Sequence, residues 1–102
     1  MDVYRVTRDL VVRVGALKIA DRRRHEQATR AAASVLLQLS EGLPLESQAA
    51  RRKYFNEAKG SVCEVAAAVD VAAALRVART EEVEEILVIA GRVKQMLWRL
   101  SR

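Results

Sequence analysis

The stretch Gln27–Gly42, QATRAAASVLLQLSEG, constrains the fold more than any other part of the chain, because only Arg30 and Glu41 in it are ionisable. On a helix turning about 100° per residue, its polar members form one narrow stripe, and Ala, Val and Leu cover the rest. The stripe consists of Gln27, Arg30, Ser34, Gln38 and Glu41. A helix that is apolar around most of its circumference is normally buried on more than one side. We therefore expect this helix to contact its own bundle and a further surface.

The composition favours a single all-α domain that covers residues 1–102. The chain is 51% hydrophobic but only 4% aromatic, and its apolar residues are mainly Ala, Val and Leu, which suit close helix packing. Four glycines and one proline supply too few turn signals for a fold made of many hairpins. A chain of this length has room for one core and no second domain.

Apolar periodicity predicts four helices with short connections. The first starts at Val3 and fades near Asp21, the second spans about His25–Leu43, the third spans Ser47–Ala78 with Ser47 as N-cap, and the fourth starts at a Thr80 cap and reaches Leu100. Gly42 near the C-cap and Pro44 beyond it mark the end of the second helix. The short connections favour antiparallel neighbours in an up-down four-helix bundle, with a three-helix domain as the structural alternative.

Four single residues carry specific expectations. Cys63 lies in an apolar helical run and is expected to be a small buried residue without chemistry. Gly60 is expected at a close helix contact, and Trp98 is expected to be a packing or interface anchor. Glu41 opposes the dipole at a helix C-terminus, so we expect an arginine or backbone donors to pair with it.

The net charge of +5 includes two basic clusters, Arg22-Arg23-Arg24 and Arg51-Arg52-Lys53. Both fall at or near the ends of predicted helices, where long side chains can reach an anionic partner. These six residues are the candidate contacts to nucleic acid. Solvated loop charge is the alternative interpretation of both clusters.

The polar stripe has two interpretations. Functionally, it would line a binding pocket or a pore; structurally, which we favour, it is a hydrogen-bonded layer that fixes helix register or subunit packing. The residues assigned to this layer are Arg30, Ser34, Gln38, Glu41, Ser61 and Glu64. We expect Ser34 and Gln38 to face Ser61 and Glu64 across the pair formed by the second and third helices.

Catalytic chemistry has little support in the sequence, and we expect no enzymatic activity, cofactor or metal. The single histidine, His25, cannot supply the paired Glu-x-x-His motifs of a diiron bundle. There is no supported Ser-His-Asp set, zinc ligand cluster or phosphate-binding loop. A lone cysteine and the absence of a signal peptide or long apolar run predict a cytoplasmic protein without a membrane partner.

Motifs along nearly the whole chain resemble the bacterial four helix bundle proteins encoded by intervening sequences in large-subunit ribosomal RNA genes. The carrying residues are Gln27, Arg30, Ala31-Ala32, Ser34, Glu41-Gly42, Ser47, Ala58, Gly60-Ser61 and Glu64, with DVYRVTRDLVVRV and VKQMLWRL at the two ends. Gln38 replaces the usual Asn, Arg51 replaces a common large apolar residue, and the first connection lacks its usual proline. The resemblance implies a homo-oligomer, with pentamers known among relatives. It also implies a distant similarity to the accessory variability determinant of diversity-generating retroelements, which assists a reverse transcriptase and binds nucleic acid.

Two functional hypotheses follow from these expectations. In the first, five copies bring a charge of +25 to one assembly, and the basic clusters bind RNA or DNA phosphates without sequence readout. In the second, spare apolar surface on the second and fourth helices serves self-association and a protein partner, for example a reverse transcriptase, without nucleic acid. A small DNA-binding regulator is a third possibility, but no recognition-helix motif specifies it.

Overall fold

The computed structural model describes residues 2–102 and is all-helical. Its helices are α1 (Val3–Ala16), α2 (Arg22–Gly42), α3 (Gln48–Ala74) and α4 (Thr80–Leu100), and residues 2–102 contain no strand. The prediction of an all-α fold with four helices packed against one another is confirmed. The three-helix alternative is wrong, because α1 is a full partner in the core.

Each helix packs against its neighbours in sequence, and α1 also packs against α4, which closes the arrangement around one core. Adjacent helices run in opposite directions. On α2 and α3, Gln38 meets Ser61 while Gly42 meets Tyr54, so residue numbers rise on one helix as they fall on the other. The molecule measures 44 × 23 × 18 Å. The 27 residues of α3 span about 40 Å at 1.5 Å per residue, so this helix runs nearly the full length.

The core consists of small and medium apolar side chains from all four helices, with one aromatic ring. Phe55, Leu10, Leu39 and Leu97 are the largest fully buried apolar residues, and alanines fill the positions between them. Small side chains let the helix axes approach closely, which is how an Ala-rich sequence still builds a dense interior.

The first helix ends sooner than its periodicity predicts. It stops at Ala16 because Leu17 is extended and turns its side chain into the core, where only 4% of it stays exposed. The second helix then starts at Arg22, three residues earlier than predicted, because the Oδ1 of Asp21 accepts a hydrogen bond from the Arg24 amide at 3.2 Å. Side-chain capping of this kind satisfies an otherwise unpaired amide of the first turn.

The other corrected boundary lies after α3, which ends at Ala74 rather than Ala78. Arg76 takes a left-handed conformation with φ of 62°, and the Val77 amide donates to the Ala72 carbonyl at 3.0 Å. The Arg76 amide also donates to the Ala73 carbonyl at 3.0 Å, and the two bonds together define a Schellman motif, which glycine normally completes. The predicted Thr80 cap is also wrong, because the N-cap of α4 is Arg79 and no side chain caps that end.

Gly42 lies at the end of α2, where the sequence places it, but it does not adopt the left-handed conformation of a helix-ending glycine. Its backbone is helical, and a Cβ atom at this position would lie 2.9 Å from the Cβ of Tyr54 and 3.1 Å from Phe55. Gly42 therefore permits α2 and α3 to approach where they join. Ser47 caps α3 as predicted, accepting a hydrogen bond from the Ala50 amide at 3.3 Å.

Two expectations for α3 are wrong. Gly60 is exposed, and a Cβ added there would have no neighbour within 4 Å in residues 2–102, so it makes no close contact in the bundle. Cys63 is exposed rather than buried. Both residues lie on the outer faces of α3, because the core positions of this helix are taken by Ala58, Val62 and Val65.

Candidate nucleic-acid interface

The two predicted basic clusters lie at opposite ends of the bundle. One end, here the double-connection end, carries the connections 17–21 and 75–79, which are joined by a 2.8 Å backbone hydrogen bond from Ala20 to Val77. The other, the single-connection end, carries the connection 43–47, the start of α1 and the end of α4. Because the long axis measures 44 Å, the clusters cannot form one patch on one copy of the chain.

Arg22-Arg23-Arg24 form the first turn of α2, at the double-connection end. Two of the three arginines are paired with nearby carboxylates. The Nε of Arg22 lies 3.3 Å from Glu26, and the Nε of Arg24 lies 3.5 Å from Asp21. Acids therefore already offset part of this cluster, and α4 begins at the same end with Glu81 and Glu82.

Arg51-Arg52-Lys53 lie in the first turns of α3, at the single-connection end. Arg51 is half-buried, its guanidinium carbon lies 5.4 Å from the centroid of the Phe55 ring, and its Nε has no partner within the described residues. The guanidinium group of Arg51 therefore lies over the buried Phe55 ring, at cation–π distance. Arg52 and Lys53 are exposed, and they are the members of this cluster most accessible to a ligand.

A cationic groove lies between α3 and α4 at the same end. It encloses about 430 Å³ and is lined by Lys59, Lys94, Gln95, Trp98, Arg99 and Arg102, with no carboxylate side chain in its lining. Trp98 is 56% exposed, and the guanidinium carbon of Arg102 lies 4.5 Å from its ring centroid. Trp98 is therefore not packed in the core of this chain, although the expectation of an interface role stays a prediction.

The Arg51-Arg52-Lys53 cluster extends this groove along α3. Arg52 precedes Lys59 by seven residues, two helical turns, so both side chains project from the same face of α3. The end of α4 is tied to the start of α3, because the Gln48 Nε2 donates a hydrogen bond to the Arg102 carbonyl at 3.3 Å. The two basic segments thus form one continuous surface.

The ion pairs within residues 2–102 lie toward the double-connection end, although Lys18, Arg23, Arg76 and Arg79 at that end take part in none of them. Within residues 2–102, all the salt bridges involve Arg13, Arg22 or Arg24, and none involves a cation of the groove or of the Arg51-Arg52-Lys53 cluster. Residues 91–102 contain four Lys or Arg and no Asp or Glu, and residues 47–56 contain three and none. The cations of the single-connection end therefore stay free to pair with an external anion.

The polar stripe of α2 is not a buried layer. The Ser61 hydroxyl donates to the Gln38 Oε1 at 2.8 Å, which places this pair together across α2 and α3. Ser34 instead donates to the Arg30 carbonyl of its own helix at 3.0 Å, so the expected contact from Ser34 to the third helix is wrong.

The charged members of the stripe lie in solvent. Arg30, Glu41 and Glu64 are exposed, and none of them forms a side-chain hydrogen bond or ion pair within residues 2–102. The arginine or backbone partner expected for Glu41 is therefore absent from the described part of this chain. Within residues 2–102, the side-chain hydrogen bond between α2 and α3 is therefore neutral and belongs to no charged network.

The groove residues were missed by sequence reasoning, although one signal for them was visible. Lys94, Trp98 and Arg102 follow one another at intervals of four, which places cation, aromatic and cation on one face of α4. Lys59 carries no such signal, because only the packing of α3 against α4 brings it to the same groove.

A second hollow lies at the double-connection end. It encloses about 710 Å³ between the two connections. Leu17, Ile19 and Val77 are among its apolar lining residues, and Lys18, Arg22, Arg76 and Arg79 also line it. The His25 ring lies at its edge, with Nε2 3.4 Å from the Gly15 carbonyl oxygen.

Two further observations bear on the kind of site present. Residues 2–102 contain no cluster of three or more His, Cys, Asp or Glu side chains able to hold a metal ion. No helix in this part of the chain is long and apolar enough to cross a membrane.

The fold and its groove define a small all-helical protein with an unpaired cationic surface at one end. The sequence matches the model of the 23S rRNA-intervening sequence protein family over residues 1–99, and the chain belongs to that family. The resemblance drawn from the motifs is confirmed. No curated protein matches the chain.

Proposed function

We propose that this protein is a non-enzymatic, self-associating four-helix bundle that binds RNA or DNA through the phosphate backbone. The observation that carries the proposal is the unpaired cationic surface of the single-connection end, where the groove and the Arg51-Arg52-Lys53 cluster adjoin. Cations without intramolecular partners lose no ion pair when they bind phosphate, whereas Arg22 and Arg24 must give up Glu26 and Asp21. Binding of this type carries no sequence information.

Self-association is the second part of the proposal. Large apolar side chains remain exposed on the outer faces of all four helices, including Val12, Leu37, Val71 and Val88. Exposed apolar surface of this extent favours contact with further copies. A pentamer, as in relatives of the resembled family, would repeat the cationic end five times, and repetition strengthens an intrinsically weak phosphate site. The exposed free Cys63 is compatible with a reducing cytoplasm, which we propose as the compartment.

The test compares charge reversal at the two ends of the bundle. The triple variant Arg52→Glu, Lys59→Glu, Lys94→Glu removes three exposed or half-exposed cations of the single-connection end. Arg22→Glu, Arg23→Glu, Arg24→Glu applies the same charge change at the other end and is the matched control. Retention of labelled RNA and DNA is measured across a salt series, with circular dichroism to check the fold.

We expect the first variant to lose binding and the control to retain most of it. In the wild type, binding should fall steeply with salt, and the slope of log affinity against log salt should decrease by about 0.7 to 0.9 per phosphate contact removed. Binding that is absent, insensitive to salt, or lost only in the control contradicts the proposal.

A protein-binding scaffold is the second candidate function, and the apolar hollow beside Leu17 and Val77 favours it. Under this function, the charge-reversal variants of both ends retain their partner, while substitution of hollow residues releases it. Ile19→Asp tests this function. Ile19 is half-buried at the hollow, so the introduced aspartate places a negative charge in its lining. A reverse transcriptase accessory role is one form of this scaffold hypothesis.

A further inference from the structure

Trp98 is exposed and surrounded by cationic side chains. Contacts to phosphate require the cations but do not require an exposed indole ring. Trp98 is 56% exposed in a chain that contains no other tryptophan. It lies in the cationic groove with Lys59 on one side and Lys94, Arg99 and Arg102 on its own helix or just beyond it. An aromatic face flanked by cations is the arrangement that binds unpaired bases, because bases stack on the ring while phosphates pair with the cations.

We propose that this groove binds single-stranded nucleic acid by stacking a base on Trp98, with adjacent phosphates held by Lys59, Lys94 and Arg99. The inference rests on the proposed function and narrows it from nucleic acid in general to single strands. A duplex hides the faces of its bases within the stack, so it can use the cations but not the ring. The groove volume of about 430 Å³ is within the range of small-ligand sites and has room for one base.

In the empty groove, the guanidinium group of Arg102 lies over the Trp98 ring. The guanidinium carbon lies 4.5 Å from the Trp98 ring centroid, within the range of a cation–π contact. A base either stacks on the opposite face of the ring or displaces this guanidinium. In the second arrangement, the displaced guanidinium is free to pair with a phosphate of the bound strand.

Charge argues against a second copy of this groove as the occupant. Its lining contains four cations and no carboxylate side chain, so two grooves facing each other would place like charges together. An acidic protein surface would complement the charge of the groove, but it would not require an exposed indole. A protein partner is therefore kept as an outcome of the test rather than as the proposal.

The test uses the intrinsic fluorescence of Trp98, which reports on this groove alone because it is the single tryptophan. Full-length protein is titrated with oligothymidylate, with an abasic deoxyribose-phosphate oligomer of equal length, and with a duplex of equal length. We expect quenching with oligothymidylate and little with the abasic oligomer or the duplex.

Affinities of variants are measured by the anisotropy of labelled oligomers. Trp98→Leu should weaken oligothymidylate binding by about 5- to 100-fold while leaving the abasic oligomer unaffected. Trp98→Phe, which keeps an aromatic ring, should recover part of the loss. Val88→Ala, an exposed apolar position on the same helix, is the matched control and should not change either affinity.

The outcomes separate this inference from the broader function. If all three nucleic acids bind with steep salt dependence but Trp98→Leu changes none of the affinities, the stacking site is refuted and phosphate binding stands. If no nucleic acid binds, both fail. If Trp98→Leu alters the mass of the assembly but not oligothymidylate binding, the indole belongs to a protein interface and the stacking proposal is wrong.

Discussion

The hydroxyl of Ser61 on α3 donates a hydrogen bond of 2.8 Å to the Oε1 of Gln38 on α2. Within residues 2–102, this is the one hydrogen bond that joins side chains of two different helices. Both residues are half-buried, so the bond is partly shielded from water. A hydrogen bond is directional, so it restricts how far one helix can slide along the other. Apolar packing is not directional and restricts this sliding less.

The coupling across this pair is measurable by a double-mutant cycle. We expect Gln38→Leu and Ser61→Ala each to lower the free energy of unfolding by about 1 kcal/mol. The double variant should lose less than the sum, which leaves a coupling of about 0.5–1.5 kcal/mol. Urea unfolding of the four proteins gives the value. Ser34→Ala is the control, because Ser34 bonds within its own helix, and strict additivity of Gln38 and Ser61 would show that they are not coupled.

Gly42 should not tolerate even a methyl group. An added Cβ would approach the Cβ of Tyr54 to 2.9 Å, and that atom is fixed to the α3 backbone, so the helices must separate. We expect Gly42→Ala to destabilise the protein by about 1–3 kcal/mol in denaturant unfolding. Gly60→Ala is the matched control: it has open space and should gain up to about 1 kcal/mol from helix propensity. Equal effects at the two glycines would refute this account.

Arg76 adopts a conformation that suits glycine better. Its φ of 62° places it in the left-handed region, which costs a residue with a Cβ about 1–2 kcal/mol. We expect Arg76→Gly to raise the melting temperature, with a net gain of up to about 1 kcal/mol after the larger chain entropy of glycine is subtracted. Arg92→Gly, in the exposed interior of α4, should do the opposite. A fall in stability for Arg76→Gly would mean that its side chain contributes more than the strain costs.

Thr7 places a hydroxyl in the core without a hydrogen-bond partner in the described chain. Its side chain is fully buried, at 0% exposure. Thr7→Val keeps the shape and removes the unsatisfied group, so we expect a gain of about 1–2 kcal/mol by thermal or urea unfolding. Thr29→Val is the comparison, because the Thr29 hydroxyl donates to the His25 carbonyl at 2.9 Å and its removal should give no gain. If Thr7→Val instead lowers the stability, the Thr7 hydroxyl forms a hydrogen bond in solution and this account is wrong.

Leu37 tests the proposed self-association. It is 61% exposed on the outer face of α2, between the exposed residues Arg30 and Glu41. If this face is covered in an oligomer, Leu37→Glu should lower the mass measured by light scattering, since a buried unpaired carboxylate is costly. Gln27→Glu adds the same charge elsewhere on α2 and should leave the mass unchanged. An unaltered mass for Leu37→Glu would remove this face from the interface.

Sequence reasoning located the four helices but misplaced three of their eight ends: the end of α1, the start of α2 and the end of α3. Apolar periodicity is a local signal that continues until it breaks, so it extended α1 past Ala16 and α3 past Ala74. Leu17 fits the periodic pattern, but its backbone is extended and its side chain is buried in the core from outside the helix. Arg76 gives no glycine signal for the Schellman motif that it completes.

The candidate site was only partly visible for a related reason. The basic cluster at Arg51-Arg52-Lys53 could be read from the chain, whereas its continuity with Lys59, Trp98 and Arg102 required the packing of α3 against α4. The Arg22-Arg23-Arg24 cluster looked equivalent in sequence. In the structure it differs from the Arg51-Arg52-Lys53 cluster in two respects. Arg22 and Arg24 pair with Glu26 and Asp21, and the cluster lies at the opposite end of the bundle.

The sequence by itself determined the all-α class, the four helices and the family, because periodicity and local motifs are properties of neighbouring residues. Tertiary structure alone decided which cations stay unpaired and why Gly42 is needed. It also decided that the low-charge helix Gln27–Gly42 buries only one of its faces in this chain and leaves Leu37 exposed. These outcomes depend on distances between residues far apart in the chain, and such distances are set only when the helices pack.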